Sequence, residues 1–265
     1  MNVVRRLDPR LFQIAGLGAL LAANIAWFDF GARPGQSAVT ILAALLAQAA
    51  FCRAFAVPFD WRSPLITGLS LSLLLRAHAP LLWVAAGILA IGSKFLIRFR
   101  GKHLFNPAAF AITALLLLSD GVWVSPGQWG AAVWLALLIV SAGGLVLTGA
   151  ERLDTALGFL ACYGGLLLWR CLALGDPLAI PLHQVQTGSL LLFAFFMVTD
   201  PRATPDSRAG RLVFVAAVAA LAYHLQFAWQ LRTGLYFALM AASLLTPVLD
   251  TVLPAERFRW RRQEA

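Results

Sequence analysis

The sequence predicts an all-α polytopic membrane protein of about ten transmembrane helices, arranged as a 5+5 inverted repeat with short, broken helices near its centre. Composition is the first observation behind this. Of the 265 residues 60% are hydrophobic and only 12% charged, where soluble domains carry ~25% charged residues, and the mean hydropathy is +0.79. The second is the recurrence of apolar windows along the whole chain, and the third is the uneven placement of Lys and Arg between them.

In order, the windows fall at about 11–30, 37–57, 63–75, 79–97, 107–119, 129–149, 154–174, 185–199, 209–229 and 233–253. Charged or Gly/Pro-containing breaks separate them. The start, MNVVRRLDPRLFQIAGLGALLAANIAWFDF, leads into an apolar run long enough to span and is followed by no polar mature domain, so it reads as a retained first helix rather than a cleaved signal peptide. Ten spans place both termini on one side. Of the 21 Lys and Arg residues, four (Arg33, Arg76, Arg170 and Arg232) fall in the loops of the opposite side and the other seventeen on the side of the termini. Because cytoplasmic loops hold the positive excess, both termini are expected in the cytoplasm. The same placement explains the net charge of +9 by topology and contact with anionic lipid, not nucleic acid.

Three segments are too short to cross a hydrocarbon core, which needs ~20 helical residues: SPLITGLSLSLLL, NPAAFAITALLLLS and VQTGSLLLFAFFMVT. Half-length helices persist where their ends face protein or a cavity, and short segments at matching places in two halves mark an inverted repeat. The dipeptide Thr67-Gly68 opens the third segment and Thr187-Gly188 the eighth, an echo across the halves. One transmembrane domain therefore occupies 1–265, with a first repeat at about 11–119, a second at about 129–253 and a basic cytoplasmic tail at 254–265. Cys52, Cys162 and Cys171 form no CxxC and are too few to hold an iron–sulfur cluster alone. No Walker motif, GxGxxG after a strand or HExxH is present, and no metal ligands are assigned.

The stretches KHLFNPAAF, TGSLLLFAFFMVTDPRATPDSRAGRLVFVAAVAAL and TGLYFALMAASLLTPVLD, between about Trp61 and Asp250, resemble the hallmark segments of the RnfD/NqrB family. FFMVTDPRATP, Phe195 to Pro205, is the best single signature. The resemblance implies a ten-helix inverted-repeat component of an ion-translocating electron-transport complex in the bacterial inner membrane. Flavins held within the membrane would relay electrons between partner subunits, or to quinone, with Na⁺ or H⁺ coupling. Relatives carry an FMN bound covalently to a threonine in an SGAT-like stretch between the fifth and sixth helices. The corresponding loop here, SDGVWVSPGQWG, contains no threonine, so covalent FMN is not expected and a non-covalent flavin, riboflavin or FMN, takes its place in the expectation. The look-alike LTGAERLDTALG lies on the cytoplasmic side, where Thr148 and Thr155 read as helix-end residues.

The candidate cofactor-binding residues are Lys102, His103, Asn106, Thr67, Thr187, Asp200 and Thr204. Asn106-Pro107 suits a helix start, with Asn as cap and Pro in the first turn, and such an end offers N–H groups and partial positive charge to an anionic or carbonyl-rich ligand. Lys102 and His103 either anchor the inner face or stabilise an anionic, reduced flavin or quinone. Asp200 either caps the next turn and pairs with a cation or binds a ribityl chain or coupling ion, and it ranks above Asp250 and Asp60. Thr67, Gly68, Thr187 and Gly188 read first as close-packing positions. His224 reads as a structural histidine, since no second buried histidine pairs with it for haem. Two further readings stay open: a redox-inactive transporter or channel on the same scaffold, and a scaffold subunit.

Overall fold

The computed structural model describes residues 8–28, 31–124 and 133–258. Of the features read from sequence, Arg5, Arg6, positions 125–130 of the outer loop, and 259–265 of the tail lie outside them. The chain divides into two compact units, Met1–Ser125 and Pro126–Ala265.

In the first unit, α1 (Pro9–Ala23) starts where the sequence provides a cap: the Asp8 carboxylate accepts from the Arg10 N–H at 3.0 Å, and Pro9 occupies the first turn. The helix runs on as a π-turn over Asn24–Phe28. Then come α2 (Pro34–Ala54), α3 (Arg62–Leu74) and α4 (Pro80–Leu96), and after them α5 (Pro107–Leu118). Four strands of two or three residues lie between helices: β1 (Leu75–Ala77), β2 (Arg98–Phe99), β3 (Lys102–His103) and β4 (Val122–Val124). β1 pairs antiparallel with β4 and joins the ends of α3 and α5, while β2 and β3 form a tight hairpin.

The second unit holds α6 (Val133–Ala150), α7 (Leu153–Leu174), α8 (Ala179–Val185), α9 (Gly188–Phe196), α10 (Arg208–Phe227), α11 (Gly234–Ser243) and α12 (Thr246–Val252). Two of its spans are broken: α8 and α9 meet at a 48° bend, α11 and α12 at 42°. Each unit packs its elements in the same order. α2 lies against α4 and α3, α1 against α3, and α4 against α5; likewise α7 lies against α10 and α9, α6 against α9, and α10 against α11.

Among the described residues, four helices are long and apolar enough to cross a membrane: Pro9–Trp27, Pro34–Ala54, Leu153–Leu174 and Arg208–Phe227. Counting each bent pair as one span makes six. At ~1.5 Å per residue the 13 residues of α3 and the 12 of α5 reach about 20 Å, short of a ~30 Å hydrocarbon core. Large apolar side chains such as Leu46, Leu81, Leu117 and Leu172 point outward, as a lipid-facing exterior requires. The protein is thus an all-α polytopic membrane protein with short and broken helices.

Close helix packing rests on glycines at two crossings. A Cβ on Gly68 would lie 2.9 Å from the Ile41 backbone, and one on Gly87 would lie 2.8 Å from the Ala44 nitrogen, so α3 and α4 approach α2 backbone to side-chain-free backbone. The third segment starts earlier than its Thr-Gly pair indicates: Thr67 lies in the interior of α3, where its hydroxyl donates to the Ser63 carbonyl at 3.0 Å, while Thr187 does sit at the N-terminal boundary of α9. The apolar window at 63–75 matches α3 within one residue, so only the reading of Thr67-Gly68 as its opening is displaced, by one turn.

Candidate functional site

Three of the seven candidate residues come together in the first unit. The β2–β3 hairpin turns through Arg100 (φ 47°) and Gly101 (φ 82°), both left-handed, which is the two-residue turn that matches strand twist. Its register sets Arg98 opposite His103 and Phe99 opposite Lys102. The tip, from Arg98 to Gly101, is exposed, while Lys102, His103 and Asn106 are buried. The Asn106 side chain caps α5 by accepting from the Ala109 N–H at 3.0 Å, and Pro107 fills the first helical position. A basic pair therefore lies three to four residues ahead of a capped helix N-terminus, and all three polar residues are turned away from solvent.

Thr67 belongs to the same unit, inside α3. The other three candidates lie in the second unit. Thr187 precedes α9 and donates to the Gln184 carbonyl at 2.9 Å. Asp200 follows α9: its Oδ1 accepts the Arg202 N–H at 3.0 Å, and its carbonyl accepts the Thr204 hydroxyl at 2.9 Å. The carboxylate thus caps the turn that the DPRAT sequence makes, with Thr204 buried beneath it. The four threonine and aspartate candidates share a habit of bonding their own local backbone.

Two charge networks were not legible in the sequence. At the foot of α1 and α3, Arg10 bonds Asp8 at 2.6 Å and also Asp60, and Arg62 Nη1 donates to Asp8 at 2.8 Å. Burial pushes the Asp8 carboxyl up, but hydrogen bonds from Arg10 and the charges of Arg10 and Arg62 outweigh it and hold the group below its ordinary 3.8. Asp60 is therefore a structural partner in this unit. At the foot of α7 and α10, Arg211 Nη2 donates to Asp154 at 2.7 Å and its Nη1 to the Asp206 carbonyl at 2.8 Å. The Asp206 N–H in turn donates to Asp250 at 2.8 Å, fastening α12. Arg152 is buried beside them with its guanidinium 5.0 Å over the Phe258 ring. Burial, with the nearby Arg211 charge, pushes its pKa down to about 10. An open cleft of about 350 Å³ lies alongside, lined by Leu147, Thr148, Glu151, Leu153, Asp154 and Arg208. Thr148 ends α6 and Thr155 begins α7, as the sequence predicts.

Between α2, α3 and α4, Lys94 Nζ donates to Gln48 Oε1 and to Ser63 Oγ, each at 2.8 Å. The signal for this site was Lys94 near the end of an otherwise uncharged helix. His224 lies in α10 with its ring 6.3 Å from Trp229. Among the described residues, no group of three or more His, Cys, Asp or Glu is placed to hold a metal ion.

The model of the NQR2, RnfD, RnfE family matches residues 119–259, which is more than half of the chain and includes all of α6 to α12. The chain belongs to this family. Among its relatives, the D-type subunit of the ion-translocating oxidoreductase complex of Stutzerimonas stutzeri is 30% identical over 72% of this chain and 73% of its own. Its counterpart in Pseudomonas paraeruginosa is 28% identical over 97% of this chain and 90% of its own. That of Halorhodospira halophila is 29% identical over 80% of each. The family match contains Thr187, Asp200 and Thr204, and the TDPRATP turn and the LTPVLD end of α12 that first pointed to RnfD/NqrB both lie within it. Lys102, His103, Asn106 and Thr67 lie outside it, in the half that the similarity to the P. paraeruginosa protein reaches.

Proposed function

We propose that this chain is the membrane-embedded electron carrier of an ion-translocating oxidoreductase complex. It would hold riboflavin or FMN non-covalently, or present a quinone to partner subunits, in a bacterial inner membrane with both termini in the cytoplasm. The observation that supports this reading is family membership, together with relatives matched over most of their length that are each named as the D-type component of such a complex. The orientation rests on the seventeen-to-four split of Lys and Arg, and the absence of threonine from 119–130 favours non-covalent over covalent attachment.

The residues present suit such a group. A flavin supplies one- and two-electron transfer, and its reduced ring carries negative charge. Lys102 and the N-terminal turn of α5 offer positive potential for that charge, with His103 beside them, which raises the potential of the bound group. In the second unit, Thr187 at the start of α9 and Asp200 and Thr204 beyond its end are separate candidates for polar contacts to a cofactor. Thr67, tied to Ser63 within α3, contributes through packing.

The reading is tested by isolating the tagged chain from its own membranes at native expression level and identifying what accompanies it. Redox subunits are the expected companions. Recovery of the chain alone, from native membranes and in mild detergent, would contradict it. In the isolated complex, Lys102→Ala is expected to move the midpoint potential of the bound group to more negative values.

A further inference from the structure

A second feature lies at the opposite end of the first unit, away from the hairpin. Among the described residues, the buried side-chain atoms without a hydrogen-bond partner are both amide atoms of Asn24, the hydroxyls of Ser37 and Thr113, and Arg152 Nε. Asn24 is the extreme case: it is fully buried, with 0% exposure, and neither its donor nor its acceptor is met. An amide left so in an apolar interior is strongly unfavourable. Such groups call for a partner that protein atoms alone do not supply. Asn24 also stands at the junction of α1 with the π-turn, a distortion common at binding sites.

Its surroundings follow from helix geometry. α1 and α3 pack side by side, and the Arg10–Asp60 contact ties them together at the foot. Asn24 is about 21 Å along α1 from Arg10, and Leu75 about 20 Å along α3 from Arg62, at ~1.5 Å per residue. The two therefore reach the same level. At that level α3 ends, and its last carbonyls are collected by side chains. Arg76 donates to the carbonyls of Ser72 at 2.9 Å, Leu75 at 2.9 Å and Leu73 at 3.3 Å. Gln36, in the first turn of α2, donates to the Leu75 carbonyl at 3.2 Å. Ser37 is the next residue. Gly31, in the connection from the π-turn to α2, passes so close that a Cβ there would lie 3.5 Å from Arg76 Nε. The orphaned amide of Asn24 thus lies at the level where α3 ends, and the orphaned hydroxyl of Ser37 is next in chain to the Gln36 that bonds this end.

We infer that the Asn24 amide, and separately the Ser37 hydroxyl, each bind buried water at the level where α3 ends. Water fits on two counts. The amide needs both a donor and an acceptor, which one water molecule provides at once. The Arg76 guanidinium at the same level disfavours a bare metal cation. The site goes beyond the electron-carrier reading and stands without it. It places hydrated spots inside the first unit at the level where α3 ends, and breaks in a helix at membrane depth are tolerated where polar partners are supplied.

The test is a cryo-EM reconstruction of the full complex at a resolution that shows ordered water. Density within hydrogen-bonding distance of the Asn24 amide and of Ser37 Oγ is expected. Dry surroundings there, with other internal waters visible, would overturn the inference. A second measurement reads the sign of a near-isosteric substitution. Asn24→Leu expels the water and loses its hydrogen bonds to the amide, so the Tm of the purified protein is expected to fall by about 2–4 °C, the shift for ~1 kcal/mol in a chain of this size. A rise in Tm would mean that a dry, unpaired amide had been removed, and the site would not exist.

Discussion

Replacing Asp154 by Asn removes the charge that neutralises Arg211 at the foot of α7 and α10. The Arg211 side chain is 9% exposed and that of Asp154 16%, and they meet at 2.7 Å. Breaking a buried ion pair from one side costs ~3–5 kcal/mol, because the remaining charge is left without compensation. The lower end applies here: Asp154 is not fully buried, and the Asp206 carbonyl still accepts from Arg211 at 2.8 Å. About 3 kcal/mol corresponds to a fall in Tm of about 6–12 °C for a chain of this length. Arg211→Met should lose a comparable amount. The double variant Asp154→Asn/Arg211→Met removes both charges of the pair, so it should lose clearly less than the two losses added, with a coupling energy of about 2 kcal/mol. Thermal unfolding of the four proteins, followed by size-exclusion recovery in detergent, reads all of these values. Strict additivity would refute the argument, since it would mean that the pair is screened by solvent and that α7 and α10 are held by apolar packing alone.

Alanine at Gly87 and at Gly165 should act in opposite directions. The first puts a methyl 2.8 Å from the Ala44 nitrogen and the second meets nothing within 4 Å, so Gly87→Ala should lower Tm, by overpacking worth ~1–3 kcal/mol, and Gly165→Ala should raise it slightly through helix propensity. Asn106→Ala removes the cap of α5 and should cost ~1 kcal/mol, seen as a lower Tm that Asn106→Asp restores. Asp8 titrates below its ordinary 3.8 in the folded protein, so it contributes stability that is fully present above that value and is lost as pH falls below it. The Tm advantage of the native protein over Asp8→Asn should accordingly hold from pH 7 to about pH 5 and shrink below pH 4. A constant difference across that range would contradict the assignment.

Much of the architecture was legible because apolar length and Gly/Pro punctuation are local signals. The Asn106-Pro107 start of α5 could be read from two residues, and so could the Thr187 boundary of α9. The same dipeptide logic misplaced Thr67: the window 63–75 did bound α3, but a Thr-Gly pair inside a helix looks the same in sequence as one at its start. The strands β1 to β4 escaped notice, being too short for a periodic pattern, and so did the break at 244–245, although Pro247 stands in the first turn of α12 just after it. Long-range pairs were out of reach in principle. Nothing local in the sequence connects Asp154 with Arg211 or Asp8 with Arg62, so Asp60, weighed as a possible functional acid, proved to be part of a network visible only in the fold. Asn24 did leave a signal, a lone amide in the apolar run LLAANIAW. Intramembrane polar residues are functional candidates by default, and reading for carboxylates and cations passed it by.

The central claim is that this member of the family carries electrons on a non-covalently held group. An absorbance spectrum of the complex in native membranes and after gentle purification, taken before and after denaturation and precipitation, tests it most directly. The account predicts a flavin spectrum that moves to the supernatant when the protein is precipitated. Colour remaining in the pellet would establish a covalent flavin and contradict the reading of the threonine-free outer loop. A colourless protein in both preparations, with no quinone extracted alongside it, would contradict the electron-carrier account itself.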